Sequence, residues 1–210
     1  MVAMPQRFDA SAARRIGDAV RELEGRSSAE LVVEIRGRSG SYAHADARFA
    51  AAFVLLTLVV LVFMPWVVPP VAVLLDAVGM YVAGLALASR SSGIRRLFTT
   101  RAERLAAVRT HAAALFHQRG VANTSGETGV LFYASLLERR IEVLADRGLL
   151  RKVVATDWNA ALRDLQEMRA VDPDTIVAAI GRLAAILQRD VPAGGVNEDE
   201  LPSVPEVELA

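Results

Sequence analysis

The sequence predicts an α/β fold, a small sheet covered by helices, with a two-helix transmembrane hairpin inserted into it. Three observations predict this. The run "FVLLTLVVLVFMPWVVPPVAVLLDAVGMYVAGLAL", Phe53 to Leu87, carries one formal charge, Asp76, and the apolar stretch around it reaches from Phe49 to Ala88. The flanking segments read as helices and strands of a water-soluble domain. Neither flank suffices alone: the first offers one helix and one strand, too little for a core, and a lone strand leaves both edges unpaired.

In chain order, "FDASAARRIGDAVRELEGR" predicts a helix, with Phe8 as the apolar residue before an Asp9 cap and Ala12, Ile16, Ala19, Val20 and Leu23 on one face. Ser27 and Ser28 break it, and "AELVVEIRG", Ala29 to Gly37, follows as a strand. The apolar run is about twice the roughly 20 helical residues that one bilayer crossing takes. Its middle, "MPWVVPP", cannot sit inside one helix. One helix is therefore expected from about Ala47 to Met64 and a second from about Val71 to Ser89, with Trp66 suited to a headgroup layer. Arg36, Arg38 and Arg48 precede the hairpin, Arg90, Arg95, Arg96, Arg101 and Arg104 follow it, and the turn has no basic residue. The positive-inside rule then places both flanks and both termini in the cytoplasm.

Beyond the hairpin, "LFTTRAERLAAVRTHAAALFHQRG" predicts one helix closed by Gly120. Gly129 to Leu136 and Arg139 to Ala145 predict two strands of a hairpin with a non-glycine turn, "LERR" being a solvated turn. "VATDWNAALRDLQEMRA" is a helix with Trp158, Leu162, Leu165 and Met168 inward. "VDPDTIVAAIGRLAAILQRD" is another, capped by Asp172 with Pro173 in its first turn. The domain organisation is residues 1–46 as the first part of a split domain, 47–89 as the hairpin, 90–193 as the second part, and 194–210 as an acidic tail expected to be extended and mobile at its end, or else docked across the domain.

Composition excludes several classes. There are 24 basic and 24 acidic residues, so nothing favours a nucleic-acid partner. There is no cysteine, which removes disulfides and thiolate metal sites. No apolar export signal precedes the first helix. There is no Walker loop, dinucleotide fingerprint, HExxH or serine-hydrolase elbow. His111 and His117 do not share a helix face, and His44 lies in a linker beside Asp46. Asp76 falls early in the second apolar helix, near the outer interface, where a carboxylate costs less than the roughly 2.5–3.5 kcal/mol of the bilayer centre. It reads as an interfacial carboxylate, with Thr57 or a second protomer as alternative partners. The arginines Arg48, Arg90, Arg95 and Arg96 flank the membrane, and the arginine-rich run from Arg90 to Arg109 suits anionic headgroups.

Three acids fall at the ends of the predicted strands, and the antiparallel second and third strands bring Glu127 and Asp146 to the same end of the sheet. Glu30 opens the first strand, Glu127 precedes the second and Asp146 closes the third. Hard cations need several convergent oxygens, so these are the candidate metal ligands. The alternative is structural: Asp146 caps its own turn and Glu30 pairs with an arginine.

"SSAELVVEI" at Ser27 to Ile35 and "TSGETGVLFYASLLERRIEVLADRGL" at Thr124 to Leu149 resemble the TPM domain family, and Trp158 and the last helix fit as well. "VNEDELP", Val196 to Pro202, resembles the "NELP" tail of bacterial members with a membrane hairpin, from which it departs by an insertion of Asp199 and Glu200 or by a shifted register. The resemblance implies a TPM-type α/β sandwich and, from related domains, acid phosphatase activity, calcium binding near Asp146, or protein interaction in membrane-protein assembly or repair.

The expected function is a membrane-anchored interaction or scaffold module in the inner (plasma) membrane. Its expected partners are the lipid bilayer and a membrane protein or further copies of itself. No cofactor is expected, calcium excepted. The alternatives are a metal-dependent phosphatase-like hydrolase and a small oligomeric transporter or channel component built around Asp76.

Overall fold

The computed structural model describes residues 8–168, 170–194, 200–202 and 204–208. The elements run α1 (Ala10–Glu24), β1 (Glu30–Arg36), α2 (Ala43–Phe63), α3 (Pro70–Arg90), α4 (Ser92–Leu97), α5 (Arg101–Gln118), a 3-10 turn (Val121–Asn123), β2 (Gly129–Ser135), β3 (Arg140–Ala145), α6 (Arg147–Lys152), α7 (Ala155–Glu167), α8 (Pro173–Asp190) and β4 (Glu206–Glu208). They form two compact units, one from residues up to Ser39 together with Leu105 onward, the other Gly40–Arg104. The second unit is thus wider than the apolar run, taking in α4 and the start of α5.

In the first unit the sheet order is β3-β2-β1-β4. β1 and β2 pair in parallel over their full lengths, from Glu30 beside Gly129 to Arg36 beside Ser135. β2 and β3 are antiparallel. The period-two alternation of strands splits the residues into two faces. Leu31, Val33, Ile35, Val130, Phe132, Ala134, Ile141 and Val143 meet α1, α7 and α8 in the main core, around Ile16, Val20, Trp158, Ile176 and Leu183. Val32, Leu131 and Tyr133 meet Val108, Ala112 and Leu115 of α5 in a smaller core. The caps form as the sequence predicts. Asp9 accepts from the Ala12 amide at 2.8 Å and Asp172 from the Thr175 amide at 2.8 Å.

Several expectations are corrected. The single helix expected over 97–120 is broken at Phe98–Thr100, because Thr100 and Glu103 form a reciprocal capping box: the Thr100 amide donates to Glu103 at 2.7 Å and the Glu103 amide to Thr100 Oγ1 at 3.1 Å. The "LERR" turn is not solvated: Leu137 and Glu138 are buried, and the positive φ of 52° at Arg139 turns the chain. For the tail the docked alternative holds at Glu206–Glu208, where β4 pairs in parallel with β1 at Glu34–Arg36. Of the Val196–Pro202 motif, 196–199 lie outside the described residues.

The second unit is built on α2 and α3, 21 residues each. They begin four residues and one residue earlier than expected, respectively, and α3 starts on Pro70, whose missing amide costs a first turn nothing. The helices pack closely and antiparallel. A Cβ on Gly84 would lie 2.8 Å from Ala50 Cα, so only glycine allows this approach. Both are long and apolar enough to cross a membrane. Their outward residues, among them Leu55, Leu56, Val62, Phe63, Leu74, Leu75 and Val82, are exposed.

Candidate functional site

The acids at the sheet end are brought together only in part. Asp146 caps α6, its Oδ1 accepting from the Arg147 amide at 2.6 Å, and its own amide donates to Gly129 O at 2.9 Å. Glu127 sits at a positive φ of 50°, and Gly148 lets α6 close against it: a Cβ there would fall 2.3 Å from Glu127 Cβ. Glu127 pairs with Arg151 at 2.5 Å. The two carboxylates line an open cleft of about 560 Å³ with Ala122, Arg147, Leu150 and Arg151. Glu30 does not line it. It is buried at 3 % exposure at the start of β1, on the strand face that turns toward α5. Among the described residues no three acids or histidines gather as a metal-ligand group. The cleft presents two carboxylates against two arginines, with Asp146 also the N-cap of α6.

A second polar cluster lies on the α5 face of the sheet, where sequence reasoning placed nothing. Pairing sets Glu34, Tyr133 and Glu142 side by side across β1, β2 and β3. Glu34 is 1 % exposed. Arg119 Nε reaches it at 2.5 Å and Arg36 Nη2 at 3.3 Å. Burial pushes the Glu34 carboxyl up from its ordinary range, and Arg119 is the strongest influence pulling it back. Burial likewise pushes Glu142 up, against Arg109 and Arg140. The His111 ring lies tilted at 37° against Tyr133, with centroids 5.7 Å apart, and burial lowers the His111 pKa.

Beside this row is a hydroxyl network. Ser39 Oγ lies 2.7 Å from Tyr133 Oη and donates to Ser135 Oγ at 2.9 Å. Glu138 accepts from the Ser39 amide at 2.9 Å and from Ser135 Oγ. The network ties the β2–β3 turn to the exit of β1. It is enclosed and hydrogen-bonded, which suits positioning rather than turnover. The signal for the cluster was in the sequence: charged residues at alternating strand positions, Glu34, Arg36 and Glu142, that face a helix rather than solvent.

In the second unit, Arg95 is not a lipid-facing arginine. It grips Asp46 through two bonds of 2.9 and 2.7 Å, both side chains largely buried. The linker acid Asp46 is thus structural, since a buried charge needs its counter-charge. Arg48 contacts Glu103 at 3.3 Å, Arg90 donates to Ala86 O at 3.0 Å, and Arg104 donates to Arg96 O at 2.8 Å. Thr57 donates to Phe53 O of its own helix, and Asp76 Oδ2 is shielded with no hydrogen-bond partner among the described residues.

No protein-family model matches the chain, and no curated protein matches its sequence. Among solved structures it is similar to the NMR structure of the BA42 protein from the psychrophilic bacterium Bizionia argentinensis, with 16 % identity and a TM-score of 0.55, covering 99 % of this chain and 99 % of that chain. The likeness is one of fold. It extends to the mixed α/β architecture and assigns no chemistry to either polar cluster.

The cleft carries a prediction. Two carboxylates hold a hard cation only weakly, since affinity rises with ligand number and rigidity. Hydrolysis needs a nucleophile or activated water and donors aimed at the developing charge. Calorimetry with calcium is expected to give at most weak binding that Asp146→Ala removes. Phosphate release from aryl phosphates is expected to stay below about 1 per second from acidic to neutral pH. Faster turnover abolished by Asp146→Ala would make the protein an enzyme.

Proposed function

We propose that the chain is a membrane-anchored interaction module of the TPM type, held in the inner (plasma) membrane by the α2–α3 hairpin, with its α/β unit and both termini on the cytoplasmic side. One observation carries the reading: two apolar helices of 21 residues, about 31 Å each at 1.5 Å per residue, that leave their large apolar side chains exposed. A bilayer core is about 30 Å thick, and a water-soluble monomer rarely exposes a contiguous apolar patch beyond a few hundred Å². The arginines on both sides of an arginine-free turn favour the cytoplasmic side for the flanks. Among the described residues, the lining of the Glu127–Asp146 cleft holds carboxylates and arginines rather than a nucleophile–base pair, which favours binding over turnover.

Two measurements test this. Reporter fusions at the C-terminus and between Trp66 and Pro70 are expected to be active only as a cytoplasmic and an exported reporter, respectively. Crosslinking in intact membranes is expected to capture a discrete partner through the α/β unit. An exported C-terminus would overturn the topology, and absence of any crosslinked partner would overturn the module.

A further inference from the structure

The outer edge of β1 is occupied by the chain's own tail, and that occupancy has the marks of a replaceable ligand. Glu200 accepts from the Ser125 amide at 3.1 Å, Leu201 packs on the smaller core, and β4 then pairs with β1 at Glu34, Ile35 and Arg36. The Gly37 amide donates to Glu208 O at 2.8 Å. Val207 packs on the main core. Glu206 meets Arg119, and Glu208 meets Arg36.

The receptor side is preformed. Arg36 and Arg119 are 14 % and 32 % exposed, and both are anchored from behind by the buried Glu34. One carboxylate cannot neutralise two guanidinium groups, so the edge presents excess positive charge beside a row of backbone donors and acceptors. The tail's side is looser, with Glu206 and Glu208 about half exposed. The tail also uses little of the edge. β1 runs from Glu30 to Arg36; β4 pairs with its last three residues, and near its start the Leu31 amide donates to Glu24 Oε1 at 3.0 Å. A longer strand would extend the ladder toward Val33, and beyond it only by displacing Glu24 from the Leu31 amide.

We propose that the outer edge of β1 is a docking site for an extended segment of a partner protein, acidic–apolar–acidic in sequence and running parallel to β1, and that residues 206–208 hold it closed until that segment displaces them. This is strand addition to a sheet edge, in which main-chain bonds give affinity and flanking side chains give selectivity. It rests on the interaction-module reading and names the partner's chemistry.

The test uses the full-length protein in nanodiscs and a labelled peptide of the sequence of residues 200–210 as the probe. In the wild-type chain the tail competes, and an edge open a tenth of the time weakens apparent binding about tenfold. The double substitution Glu206→Lys, Glu208→Lys puts lysines against Arg36 and Arg119 and detaches the tail. It is expected to tighten peptide binding about tenfold or more, and the bound peptide should restore hydrogen-exchange protection at the Gly37 amide. Adding Arg119→Glu, or reversing both charges on the peptide, should abolish binding. Glu206→Gln with Glu208→Gln replaces the lysine pair if that pair lowers the melting temperature. The proposal is overturned if a tail-detached protein that melts as the wild type does binds the peptide no tighter, or binds the charge-reversed peptide equally well. Crosslinking separates the two readings. Partners captured equally by wild type and by the lysine variant leave the module intact and overturn the edge. Peptide binding that follows the charges while no membrane partner is captured overturns the module and restricts the edge to the tails of other copies, against the partner proposed.

Discussion

Replacing residues 41–99 with a flexible linker of about 12 residues, which spans up to about 40 Å, is expected to leave a soluble, cooperatively folding α/β domain. The two flanks meet close to the cut: Ser39 bonds to Tyr133, and the His111 ring of α5 lies 5.7 Å from the same ring. Closing so short a loop costs little. Removing β1 as well, by expressing residues 105–210 alone, is expected to give a chain without a cooperative transition. β1 pairs with β2 along its whole length and carries Leu31, Val33 and Ile35, each at most 2 % exposed, into the main core. Losing one buried leucine or isoleucine side chain costs about 2–5 kcal/mol, and a domain's whole stability is only about 5–15 kcal/mol. Urea unfolding followed by circular dichroism and by Trp158 fluorescence measures both. A molten hairpin-less domain beside a well-folded 105–210 fragment would refute the split-domain architecture.

Arg119→Ala is expected to destabilise the protein by about 3 kcal/mol at neutral pH, the low end for removing one partner of a buried ion pair, because Arg36 still touches Glu34. The loss should depend on pH with a definite sign. Burial already holds the folded pKa of Glu34 above its unfolded value, and removing Arg119, the largest opposing influence, raises it further. Between those values the folded state keeps a proton that the unfolded state has released. Stability therefore rises as the pH falls through the folded pKa and is fully present below the ordinary glutamate range. The deficit of the variant shrinks on acidification, and Arg119→Lys recovers part of it at neutral pH. Urea midpoints across this window decide the matter. A deficit independent of pH would assign Arg119 to packing alone.

Much of this was legible in the sequence. Asp9, Asp172 and Pro173 announced their helix starts, because caps and first-turn prolines act within four residues of chain. The proline-broken apolar run gave two long helices to within a few residues. Short apolar runs in "ELVVEIR" and "GVLFYAS" marked two strands, and the need of the first for a partner joined the flanks. The Thr100–Glu103 capping box was equally local and was overlooked beneath a continuous apolar pattern.

What the sequence by itself determined is what local chemistry determines: where helices start and stop, where two bilayer-length segments lie, and that β1 cannot stand alone. Only the tertiary structure decided which strand lies beside which. It set Glu34 next to Glu206 and between Arg36 and Arg119, brought Glu127 against Gly148 while leaving Glu30 out of the cleft, buried Glu138 under Ser39, and turned an acidic tail into an edge strand. Each of these joins residues distant in the chain, and pairing and register depend on the free energy of the whole sheet and its covering helices, which no local window contains.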